Sequence, residues 1–123
     1  MKIAITAHGS DCHATVDTRF GRSNYFVLYN QDEKSWNFLP NTPSCEAAHG
    51  AGINSGQILA NDGVKILITG YVGPKAFRVL QAQKIDMYSL GEITGSVEEA
   101  LEAYLSGQLK TINSPNALDL KNK

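Results

Sequence analysis

The run from Val64 to Thr69, VKILIT, constrains this chain more than any other segment. It is dense in branched aliphatics and closed off by Gly63 and Gly70, which makes it too short for a helix and too apolar for a strand with one wet face. Such a strand is covered on both sides, and the usual cover is a pair of helical layers over a sheet with parallel neighbours. Both flanks supply helices. Ahead of it, HGAGINSGQILANDG puts Ala51, Asn54, Ile58 and Leu59 near helical spacing with Gly63 as the stop, which predicts a helix from about Gly50 to Asn61. Behind it, GYVGPKAFRVLQAQ predicts a helix with Pro74 in its first turn, where a missing N–H costs nothing.

The same punctuation organises the rest. Ile85 to Ser89 repeats the strand signal, and VEEALEAYL sets Val97, Ala100, Leu101, Tyr104 and Leu105 on one helical face, with Ser96 and Glu99 spaced for a capping box. Toward the N-terminus, Lys2 to Ala7 reads as a strand stopped by Gly9, Ser10 and Asp11. YFVLY (Tyr25 to Tyr29) and Ser35 to Leu39 make a hairpin across a turn-rich Asn30 to Lys34. Trp36, Phe38 and Phe77 are read as core aromatics. The order is β-β-β-α-β-α-β-α, an α/β fold of three layers, α/β/α, with a mixed five-stranded sheet. With 123 residues, 42% of them hydrophobic and 19% charged, the chain suits one packed domain over 1–107, followed by a loosely ordered tail over 108–123.

A net charge of −1, with lysines and arginines scattered rather than striped, argues against nucleic acid. No stretch approaches the roughly 18 apolar residues of a membrane span, and MKIAITAHGSD lacks a signal-like core, so a cytoplasmic protein without a membrane is expected. In a reducing compartment the two cysteines, Cys12 and Cys45, are expected free or metal-binding rather than bridged.

If the first strand is parallel to the last two, loops 7–24, 40–49, 70–73 and 90–95 share the edge at the carboxyl ends of the parallel strands, where open α/β sheets place ligands. Every cysteine and histidine lies in these loops. The first offers His8, Cys12 and His13, then Asp17, Arg19 and Arg22 around Gly21. Thiolate and imidazole are donors for a metal or cluster, and paired arginines complement an anionic sulfide or molybdate-type ligand. The plain alternative is an ion pair between Asp17 and Arg19 or Arg22 that holds the loop. In the second loop Cys45 and His49 stand one helical turn apart, and Gly50 and Gly52 would let a bulky group reach the backbone. Neither a dinucleotide fingerprint, a P-loop, a paired-carboxylate set nor a serine-histidine-acid arrangement is gathered, so binding rather than catalysis is the reading.

Three stretches, VDTRFGRSNYFVLYN, HGAGINSGQILANDGVKILITGYVGPKAF and GSVEEALEAYLSGQL, resemble the dinitrogenase iron-molybdenum cofactor biosynthesis family. That resemblance implies a ribonuclease H-like topology. It also implies a role as carrier of an iron-sulfur or iron-molybdenum-sulfur cluster or its precursor, related to nitrogen fixation, for the family includes nitrogenase cofactor carriers and a molybdenum-copper sulfide protein. The family's R-F-G-R stretch falls on Arg19 to Arg22 and its H-G-A-G stretch on His49 to Gly52. The implied site is then Arg19, Arg22, Cys45, His49, Gly50 and Gly52, with Cys45, His49, Cys12 and His13 as metal donors. The implied partners are the metallocluster and the donor and acceptor proteins of its assembly, with the chain a monomer or a homodimer that doubles Cys45 and His49 around one cluster. The competing reading is a regulatory module that binds a partner protein or small anion at the same edge.

Overall fold

The structure, a computed structural model, describes residues 1–41 and 51–116. Its elements are β1 (Lys2–Ala7), β2 (Tyr25–Asn30), β3 (Ser35–Pro40), α1 (Ala51–Asn61), β4 (Val64–Thr69), α2 (Pro74–Ala82), β5 (Asp86–Ser89) and α3 (Val97–Leu105). The sheet order is β3-β2-β1-β4-β5, with β1, β4 and β5 parallel and β2 antiparallel to both its neighbours. This is the mixed five-stranded α/β arrangement expected from the sequence. β1 runs down the centre, paired on one side from Lys2↔Asn30 to Ala7↔Tyr25 and on the other from Ile3↔Ile66 to Ile5↔Ile68.

Strand alternation sorts the core into two layers. Ala4, Phe26, Leu28 and Leu67 face Leu59 of α1 and Ala76, Phe77 and Leu80 of α2. Ile3, Ile5, Val27, Ile66 and Ile68 face Val97, Ala100 and Leu101 of α3. Each fully buried Leu or Ile contributes roughly 1.5–3 kcal/mol of apolar transfer free energy, so both faces of β1 and β4 are indispensable. Small residues let the two helices of the first layer close on each other: a Cβ on Gly52 would stand 2.7 Å from the Ala76 Cβ, and one on Gly56 2.8 Å from Val79 Cγ1. Gly52 therefore has a packing duty at the α1–α2 contact, beside any part in admitting a ligand.

The helix ends follow local chemistry. Gly63 takes a φ of +79° behind α1, Pro74 opens α2 after Gly73, and Ser96 with Glu99 closes a complete capping box on α3. Two expectations differ. Phe38 is 44% exposed, its ring edge-on to Tyr25, because β3 is an outer strand with little to cover it. Residues 108–116 are not loose: Ser89 N–H donates to Lys110 O at 2.8 Å, Ile112 N–H to Met87 O at 2.8 Å, and the Ile112 side chain is buried in the first core layer. The turn-rich composition of this stretch concealed its pairing with the open edge of β5. Residues 117–123 lie outside the described residues.

Candidate functional site at the sheet edge

Residues 8–24 cross the carboxyl ends of β1 and β4 and are fastened from three directions. Beneath, Asp17 N–H donates to Thr6 O at 2.8 Å, the Thr6 hydroxyl donates to Asp17 O, and the Thr6 and Thr69 hydroxyls share a 2.8 Å hydrogen bond. On the β4 side, Tyr71 N–H donates to Thr18 O at 2.6 Å and Phe20 N–H to Tyr71 O at 3.2 Å, which seats Arg19 beside Tyr71 as a short parallel bridge. Phe20 is buried against Phe26, ring centroids 5.7 Å apart, and anchors the far side of Arg19 in the core.

On the α3 side, Val16 N–H donates to Gly95 O, while the first-turn amides of Val97 and Glu98 donate to Ala14 O and Cys12 O, both at 2.9 Å. The loop therefore satisfies these first-turn donors of α3. Asn41, buried at the start of the second loop, donates from its backbone to Asn24 O and from its amide to Ser23 O, both at 2.8 Å, and accepts from Ser55 of α1 at 3.0 Å. Residues 70–72 are clipped by Asn116, whose side chain accepts from Val72 N–H at 2.7 Å and donates to Gly70 O at 2.9 Å.

Within this scaffold Asp17 is the electrostatic centre. Its carboxylate, 2% exposed, accepts from Arg19 N–H at 2.9 Å, from Arg19 Nε at 3.1 Å and from Arg19 Nη2 at 3.0 Å. The two-point fork fixes the plane of a guanidinium whose side chain is 57% exposed. The Asp17–Arg19 ion pair weighed from sequence is thus present, and it orients a cation at the carboxyl edge of the sheet. Asp17 Oδ2 also stands 3.6 Å from His8 Nδ1, on a side chain 51% exposed. Arg22, half-buried, follows the Gly21 turn. Elsewhere, on α3, burial and then Tyr88 and Asp86 raise the Tyr104 hydroxyl above its ordinary value.

Of the residues picked from sequence, the structure brings Arg19 to the edge and sets half-buried Cys12 and exposed His13 beside the start of α3. Cys45, His49 and Gly50 lie outside the described residues. Among the described residues no three His, Cys, Asp or Glu side chains gather to hold a metal ion, and no helix is long and apolar enough to cross a membrane. His8, one of the loop's donors in the sequence, is not in the implied ligand set; its closeness to Asp17 arises from the loop folding back onto β1, which no local spacing announces.

The family model of the dinitrogenase iron-molybdenum cofactor matches residues 1–107. An uncharacterised protein of Methanocaldococcus jannaschii is 31% identical over 113 residues, 89% of this chain and 90% of that one. Among solved structures, the apo form of the orange protein of Desulfovibrio gigas is similar at a TM-score of 0.89 and 39% identity, over 94% of this chain and 96% of that one. A NifB-like protein of Thermotoga, of the DUF35 family, is similar at a TM-score of 0.83 and 32% identity, over 94% and 97%. The chain belongs to the dinitrogenase iron-molybdenum cofactor family.

Proposed function

We propose that this protein is a carrier for an anionic iron-sulfur or iron-molybdenum-sulfur cluster, or a precursor of one, received where the loops meet at the carboxyl ends of β1 and β4. The family supports a cofactor-related role in general. The observation that carries the finer reading is Arg19: a buried carboxylate fixes its guanidinium while most of the side chain stays open to solvent at that edge. A preoriented cation of this kind recognises an oxo or sulfido anion without a large ordering cost.

The donors fit a cargo better than a bare ion. The described loop offers one thiol, Cys12, and the imidazoles of His8 and His13, without a closed set of three ligands. A preassembled cluster brings its own sulfides and asks the protein for one or two more donors. Cys45 and His49 are proposed for that part, with Cys12 and His13 beside them, Arg19 and Arg22 balancing charge, and Gly50 and Gly52 allowing close approach. A few soft donors with charge pairing also suit a site that must release its cargo to an acceptor protein.

The test is anaerobic reconstitution with iron, molybdate and sulfide. Visible charge-transfer absorption is expected in the parent chain and should be largely lost in the Cys45→Ala, His49→Ala double variant. Equal absorption in both would remove those donors from the site. A parent chain that stays colourless would overturn the carrier reading in favour of a module whose partner binding is indifferent to chelators.

A further inference from the structure

We infer that His8 is a further metal ligand of this edge, presenting Nε2 to a metal of the bound cluster; the assignment rests on the carrier reading above. His8 directly follows the last residue of β1, and its main chain is fixed by donation to Thr15 O at 2.9 Å. The ring faces a charge as well, since Nδ1 lies 3.6 Å from Oδ2 of buried Asp17, longer than a hydrogen bond and close enough to shorten into one when the ring turns toward a metal.

A carboxylate there can only accept, so an imidazole that donates to it does so from Nδ1 and has Nε2 left to meet a metal. Metal-binding histidines are commonly oriented by this device, a carboxylate behind one nitrogen and the metal in front of the other. Asp17 is itself held: its N–H and C=O are both bonded to Thr6, and Arg19 donates twice to Oδ1 and once to Oδ2, which leaves Oδ2 open on the side of His8.

One buried carboxylate therefore stands behind two half-exposed heads at the same strand end, bonded to a guanidinium suited to the anionic sulfides and facing an imidazole suited to the metal. Neither Cys12 nor His13 has comparable support: the Cys12 contact with α3 runs through its backbone carbonyl, and the Asp11 carboxylate is bonded to the His13 main chain rather than its ring.

The test is to load the full chain anaerobically with iron, molybdate and sulfide, and to compare it with His8→Ala and His8→Gln in the position of the charge-transfer band and in the rate of cluster loss to a chelator. A displaced band and several-fold faster loss in both variants are expected, with added imidazole restoring the band in His8→Ala. A loaded variant whose band and loss rate match the parent would overturn the assignment and leave the carrier reading intact. A parent chain that cannot be loaded would overturn both. Should His8→Ala prove unstable, His8→Gln decides, because it keeps the bulk and the main-chain bond to Thr15.

Discussion

Gly70 and Thr18 meet backbone to backbone: a Cβ built on Gly70 would stand 2.6 Å from both the Thr18 carbonyl oxygen and its Cβ. Only glycine permits this approach, and it is what lets the loop after β1 lie flat on the end of β4. Gly70→Ala should push the loop off that end, destabilising the protein by about 1–3 kcal/mol and lowering its melting temperature by several degrees. Thermal unfolding followed by circular dichroism measures this. An unchanged melting temperature would mean that the loop is not seated as described.

Arg19 is predicted to matter through its fork as well as its charge. Arg19→Lys keeps the cation but loses the two-point grip on Asp17, and Arg19→Ala loses both. Urea unfolding should show a loss of about 1 kcal/mol for Lys and about 1–2 kcal/mol for Ala, moderate because the arginine is half exposed. Both should load less cluster, with Lys no better than intermediate. Full loading by Arg19→Ala would remove the guanidinium from the site.

Asn116 acts as a clip rather than a link in a free tail. Asn116→Ala removes the bonds to Val72 N–H and Gly70 O, for an expected cost of about 1–2 kcal/mol. Amide exchange at Val72 should accelerate more than at Ile68 in the middle of the sheet. Uniform acceleration would indicate global destabilisation instead.

The contact between α1 and α2 depends on glycine in the same way. Gly56→Ala should cost about 1–3 kcal/mol by crowding Val79, and adding Val79→Ala should recover part of the loss. A double-mutant cycle in urea checks the coupling, and strict additivity would place the strain elsewhere.

The sheet and helices were legible because their signals are local. VKILIT declared itself by composition and length, Ser96 and Glu99 by capping-box spacing, and Pro74 and Gly63 by their fixed backbone demands. That the loops after β1 and β4 share one edge followed from strand order alone. The details of the site were less legible, since they depend on tertiary contact. That Asp17 pairs with Arg19 rather than Arg22 is decided by how Tyr71 and Phe20 clamp the chain on either side, and the approach of His8 by the bonds of Thr6 to Asp17. The stretch 108–116 misled for a related reason: Asn113, Ser114 and Pro115 have turn composition, while its attachment comes from partners on β5 and at Gly70 and Val72, far away in sequence.

The most direct test of the carrier reading is metal and acid-labile sulfide analysis, with an absorption spectrum, of protein purified without oxygen from its native host. The account predicts iron or molybdenum in stoichiometric amount together with sulfide and a visible charge-transfer band. Protein free of metal and sulfide that also fails to load from iron, molybdate and sulfide would contradict it.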